Sequence, residues 1–272
     1  MRNGSALPPV LCYHRIGGPL ELGVTRVARS VFGRQMSTLA RAGWRTLKLD
    51  EFSDRVCRHN SAFRIPHSEF LLTFDDGYAD LTEHAYPLLA DLGFTATTFV
   101  VTDFVGRDNT WDVRYTWRRL RHLDWHAIER WQGHGFTFAS HGATHARLTW
   151  LSDAAVLQEL GGSRETLRSR LGADAARAVA YPFGAVDARV LRLARGAGYE
   201  IGFGGVRGTR GNPLHLARVP VYLWDRGDVP FGLRNDALST LGRLVAGAAN
   251  RCSVGTSVLL KMRREREAGS GT

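Results

Sequence analysis

Cysteine is scarce. Cys12, Cys57 and Cys252 are far apart, odd in number and form no Cys-x-x-Cys pair. This argues against a disulfide framework and a thiolate metal site, and it fits a reducing compartment. Lysine is scarcer still. Of 36 basic residues only Lys48 and Lys261 are lysines, and with 26 acidic residues the formal charge is +10. The arginines are spread along the chain instead of clustering among aromatics, so no nucleic-acid surface is expected. They suit contacts to carboxylate or phosphate. No uninterrupted apolar run reaches membrane-spanning length. The opening MRNGSALPPVLCYH lacks the apolar stretch of a secretion signal, with Pro8 and Pro9 interrupting the one candidate. The expectation is a cytoplasmic protein, at most peripheral to a membrane.

What is present is an ordinary globular balance, 44% hydrophobic and 23% charged over 272 residues. Strand-like runs alternate with helical periods. Segments 8–14 (PPVLCYH), 44–49, 69–74 (EFLLTF), 94–101 (FTATTFVV), 136–140, 178–181, 199–203 and 216–222 read as strands. Segments 32–42, 79–92, 117–131, 153–171 and 187–197 read as helices. Asp50 is placed to cap another, and Pro87 to kink or bound the second. Repeated β-then-α units imply a mainly parallel sheet. Their number, without a linker, favours a closed or nearly closed barrel over an open doubly wound sheet. The domain reading is 1–235 for this unit and 236–272 for a helical, basic tail. That tail is either a packed helix with a frayed end or a weak membrane-surface contact.

Two motifs carry chemistry. Thr73-Phe74-Asp75-Asp76-Gly77 ends a buried strand, and two adjacent carboxylates there are costly unless paired, hydrogen-bonded or bound to metal. An Asp-Gly turn with a helix cap is the plain alternative. Ser140-His141-Gly142-Ala143-Thr144-His145 also follows a strand, and histidines four residues apart can meet one metal. Together, two histidines and one carboxylate make a three-ligand site with open positions. The other carboxylate is left over as a base for a water whose pKa a metal lowers to roughly 7.

TFDDG followed by SHxxxH resembles the polysaccharide deacetylases, the family 4 carbohydrate esterases with the NodB homology domain. The resemblance covers roughly residues 8–222 and implies an α/β fold, a distorted (β/α)7-type barrel. It also implies a metal-dependent hydrolase that removes the N-acetyl group from an amino sugar. On it, Asp75 is the base, and Asp76, His141 and His145 hold one divalent metal, most often zinc. Cobalt or nickel also suit this donor set. Ala180-Tyr181-Pro182-Phe183-Gly184 resembles the family's third motif, which implies that the Phe183 N–H serves the oxyanion. Ala180 stands where that motif has arginine, which puts an arginine brace on the base in doubt; another arginine, such as Arg218, could substitute. No convincing C-terminal Leu-x-His is present. Tyr13-His14, AYPFG and Arg218-Val219-Pro220 are instead similar to the permuted poly-N-acetylglucosamine deacetylase branch, which makes His14 the acid. A structural strand-end histidine is the alternative.

Tyr78, Pro182 and Trp150 are substrate-binding candidates, and Trp111, Tyr115 and Trp117 could extend a sugar platform or simply pack. Two rival functions stand beside an N-acetylated-sugar deacetylase: an amidohydrolase on a non-sugar C–N bond, and a non-catalytic glycan binder. An intact Asp75, Asp76, His141 and His145 set argues against the binder.

Overall fold

The computed structural model describes residues 7–18, 25–58, 68–111, 120–206, 208–209 and 211–233. Tyr115, Trp117 and the tail expected at 236–272 lie outside these residues. The strands are β1 (Val10–Tyr13), β2 (Arg15–Ile16), β3 (Arg26–Val27), β4 (Arg45–Thr46), β5 (Glu69–Phe74), β6 (Thr97–Val100), β7 (Thr137–Ser140), β8 (Ala178–Ala180), β9 (Ile201–Phe203) and β10 (Val219–Pro220). The helices are α1 (Arg29–Arg41), α2 (Leu49–Arg58), α3 (Leu81–His84), α4 (Tyr86–Asp91), α5 (Trp125–Gly133), α6 (Asp153–Leu171) and α7 (Ala188–Gly196).

The main sheet runs β10-β1-β5-β6-β7-β8-β9, with β4 on the first half of β5, and its pairings are parallel. It curls towards closure. Leu216 bridges Phe203 of β9, and a few residues later β10 pairs with β1, so one segment stands between the two ends of the sheet. The distorted barrel expected from the sequence is the fold found. β2 and β3 form a separate two-stranded pair, too short to show any periodicity.

Alternation along the strands explains both the core and the site. On β5, Phe70, Leu72 and Phe74 face the helices, in one cluster with Phe32, Met36, Leu89 and Trp131. Leu71 faces the opposite way, in a cluster with Val10, Phe99, Ala139, Ala180 and Phe203 from five other strands, which is the barrel interior; Phe52 of α2 belongs to the same cluster. A third cluster packs α6 and α7 on the far side through Val156, Leu160 and Val190. Because side chains alternate with a period of two, the interior face of β5 continues 71, 73, 75. The same face of β1 continues 10, 12, 14, and that of β7 continues 139, 141. Asp75, His14 and His141 are therefore carried onto one end of the lumen.

Several boundaries differ from the sequence reading. The helix expected over 79–92 is two helices broken at Ala85, with Pro87 in the first turn of the second. The helix expected over 117–131 begins at Trp125, where Asp124 caps it by accepting from Ala127 N at 2.8 Å. α2 begins at Leu49, so Asp50 lies in its first turn instead of capping it. The strand expected over 216–222 is reduced to Val219–Pro220, because the segment first pairs with β9 and then crosses to β1.

Candidate metal centre and active site

Asp75 and Asp76 leave β5 at its C-terminal end, where Asp75 N still donates to Tyr13 O at 2.9 Å. The chain then turns sharply. Asp76 has φ 69° and Gly77 φ 67°, and an added Cβ at Gly77 would lie 2.8 Å from Val100 Cγ1. Asp76, His145 and Phe183 are the non-glycine residues with left-handed backbone among the described residues. Such conformations cost roughly 1–3 kcal/mol each and persist only where surroundings enforce them. All three enter the same site.

His141 and His145 occupy the turn after β7. α6 holds that turn through Glu159, whose carboxylate accepts from Ala143 N at 3.0 Å, Thr144 N at 2.9 Å and Thr144 Oγ1 at 2.5 Å. Asp76 Oδ1 then lies 3.4 Å from His141 Nε2 and 3.3 Å from His145 Nε2. Tetrahedral ligands with bonds of about 2.1 Å stand about 3.4 Å apart, so these donors fit one small divalent ion. His141 Nδ1 donates to Ala180 O at 2.7 Å, which turns Nε2 towards Asp76 and the site a metal would fill. His145 Nδ1 is buried without a hydrogen-bond partner among the described residues.

The electrostatics suit cation binding. Burial pushes Asp76 up, but hydrogen bonds from His141 and His145 outweigh it and hold the carboxyl well below its usual range. Burial pushes His145 down to about 4, with Asp76 opposing, so the imidazole is neutral. Burial also disfavours charge on His141, yet the Asp75 and Asp76 carboxylates outweigh it and raise that pKa.

Asp75 has a different partner. Arg218 reaches it through the barrel interior, Nη1 to Oδ1 at 2.6 Å and Nη2 to Oδ2 at 2.7 Å, while its Nε donates to Gly204 O at 3.1 Å. Its guanidinium lies 5.5 Å from the ring centre of Phe99 and 5.9 Å from that of Phe203. Burial pushes Asp75 up, but Arg218 and then His141 overcome it and bring its pKa to about 2. Cys12, His14 and Asp75 also gather within 4.8 Å. That trio suits a metal poorly, because both Asp75 oxygens are engaged by Arg218 and burial pushes the Cys12 thiol well up.

The structure brings Asp75, Asp76, His14, His141, His145 and Phe183 together. Phe183 (φ 61°) sets its ring edge against His145 at 4.7 Å, and Pro182 beside it is buried. Tyr78 is 4% exposed and stacks on His122 at 5.0 Å, inside the turn and not on an open cleft. Trp111 is 7% exposed and lies flat on His145 at 3.7 Å. Trp150, by contrast, is 44% exposed. The Arg147 guanidinium lies 5.1 Å from its ring centre and 5.9 Å from that of Phe183. His215 accepts or donates at Thr209 Oγ1, 2.7 Å away. Sequence reasoning missed Glu159, His122 and Arg147. None belongs to a motif, and only the packing of separate segments reveals them.

The sequence model of the polysaccharide deacetylase family matches residues 65–202. The Bacillus subtilis protein YxkH, whose name carries the same family, is 28% identical over 71% of this chain and 63% of its own length. A Staphylococcus aureus poly-beta-1,6-N-acetyl-D-glucosamine N-deacetylase is 24% identical over 65% of this chain and 60% of its own length. The matched part is thus under two thirds of either relative. A Streptococcus pyogenes deacetylase solved in complex with acetate has the same fold, with a TM-score of 0.69 at 22% identity, covering 80% of this chain and 93% of that one.

Proposed function

The chain belongs to the polysaccharide deacetylase family, and we propose that it hydrolyses the N-acetyl group of an N-acetylated amino sugar of the N-acetylglucosamine type. One observation carries this reading: the Asp76-His141-His145 donor set stands beside a second carboxylate, Asp75, that Arg218 keeps ionised. A lone metal site needs no such neighbour, and a hydrolytic one needs a base.

Asp76, His141 and His145 are the residues that would hold the ion, and zinc is the metal the donor set suits best. Bound there, a divalent ion polarises a carbonyl and lowers the pKa of water. Asp75 accepts the proton of the attacking water, the carbonyl carbon gains its oxygen, and the Phe183 N–H donates to the developing oxyanion. His14 gives a proton to the nitrogen as the C–N bond breaks, releasing acetate and the free amine. Trp150, exposed beside Arg147 and Phe183, offers a sugar ring an aromatic face. The sugar reading over a simple amide rests on the Staphylococcus aureus relative. Among the described residues no helix is long and apolar enough to cross a membrane.

The test is incubation of the zinc-loaded protein with N-acetylglucosamine oligomers and with small non-sugar acetamides, with acetate and free amine quantified. Acetate from the oligomers alone, abolished by a chelator and restored by zinc, is the expected result. Release from the small amides alone would overturn the sugar assignment, and release from neither would overturn the hydrolase.

A further inference from the structure

Two short arms, 106–109 and 120–123, lie beside the turn that carries Asp76. They pair through Gly106 N to Leu123 O at 2.7 Å and His122 N to Arg107 O at 2.9 Å. The second arm docks on the turn itself, through Leu123 N to Gly77 O at 2.8 Å and Ala79 N to Arg121 O at 2.9 Å. This brings Trp111 and His122, both buried, against the donor set.

His122 has both ring nitrogens engaged. Nδ1 lies 2.8 Å from Asp76 O, and Nε2 accepts from Trp111 Nε1 at 3.3 Å. An indole N–H only donates, so Nε2 must be the acceptor and Nδ1 must carry the hydrogen given to Asp76 O. The tautomer and the ring plane are thereby fixed. That bond falls on the carbonyl of a residue held at φ 69°. Trp111 uses its other surface on His145, with centroids 3.7 Å apart and planes at 27°. Metal-binding histidines almost always anchor their second nitrogen by a hydrogen bond. His141 does so, while the Nδ1 of His145 is buried with no hydrogen-bond partner among the described residues. Packing orients that ring instead, flat against Trp111 and edge-on to Phe183.

We propose that Trp111 and His122 are positioning residues for the metal centre: one indole fixes His122, which clamps the Asp76 main chain, and the same indole sets the ring plane of His145. The inference rests on Asp76 and His145 being metal ligands, as read above. Two ligands from different strands are thus aligned by a single side chain outside every motif.

The experiment is zinc affinity of the metal-free chain, measured by competition with a chromophoric chelator, alongside thermal unfolding of the metal-free form. His122→Phe keeps a ring against Tyr78 but loses both hydrogen bonds, and its zinc affinity should fall about 10- to 100-fold. His122→Asn places an amide donor near the old Nδ1 and should recover much of that loss. Trp111→Phe, which keeps the stack but not the N–H, should lose less than Trp111→Leu. Zinc affinity equal to wild type in His122→Phe and Trp111→Leu overturns the inference. Should either fail to fold, unchanged affinity in Trp111→Phe, or no difference between His122→Asn and other folded replacements, overturns it equally. If wild type binds no zinc, or Asp76→Ala binds it as well as wild type, the metal reading fails and this inference falls with it. Wild-type binding with indifferent variants sinks this inference alone.

Discussion

Arg218 grips both carboxylate oxygens of Asp75, at 2.6 and 2.7 Å, from inside the barrel. The two residues lie far apart in the chain and meet because β10 pairs with β1, which pairs with β5. Both are almost fully buried. Removing one partner of such a pair leaves an uncompensated charge and costs about 3–5 kcal/mol. Arg218→Met should therefore lower the unfolding temperature and turnover together. It should also shift the acid limb of the kcat/KM profile to higher pH, since burial alone pushes Asp75 up. Arg218→Lys keeps the charge without the two-pronged grip and should fall between. An acid limb that does not move in Arg218→Met would mean that Arg218 does not set the ionisation of Asp75.

The two aspartates should part in their effects. Asp76→Ala and His141→Ala are expected to lose bound metal and turnover. Asp75→Asn should keep metal while kcat drops about 10²- to 10⁴-fold, as seen by metal analysis and acetate release on the same samples. Near-wild-type rates in Asp75→Asn would remove it from the role of base.

His14→Ala should leave metal content unchanged and slow turnover by a similar about 10²- to 10⁴-fold. The loss should shrink on an acetanilide with an electron-poor ring, whose amine leaves with little need of a proton. An equal loss on both substrates would argue for a structural role.

Acid stability should also report on Asp75. Its pKa is about 2 in the folded protein against an ordinary value of 3.8, so between those values the unfolded chain binds more protons. The stability Asp75 contributes is present above about pH 4 and is lost as pH falls through about 2. The difference in unfolding free energy between wild type and Asp75→Asn should be flat above about pH 4 and shrink below it, by urea titration at each pH.

Gly77→Ala tests the turn itself. The residue has φ 67°, and the added methyl would stand 2.8 Å from Val100 Cγ1. Left-handed strain of about 1–2 kcal/mol and crowding of about 1–3 kcal/mol should both register in thermal unfolding, with zinc binding weakened because Asp76 adjoins the turn.

Much of this was legible in the sequence. EFLLTF is a strand from its first residue to its last, and α6 spans the residues its pattern predicts. The motif residues also lie together, because each follows a strand whose apolar run is visible in the sequence. What was not legible depends on chain crossing. β2 and β3 are two residues each. The last strand splits between two neighbours, and Glu159, His122 and Trp111 reach the site from segments with no signature. Arg218 could be named as a candidate brace, but its reach to Asp75 follows from the closure of the barrel alone.

The main-chain carbonyl of Ala180, which orients His141, has a consequence for how relatives of this chain are sorted. Any residue at that position supplies the same oxygen, and the positive charge beside Asp75 comes from Arg218, next to β10. A pattern search that demands arginine at position 180 would discard this chain as inactive, although the interaction it looks for is present. A list drawn from linear motifs therefore misses a buried arginine–carboxylate pair that the neighbours of Asp75 in three dimensions reveal.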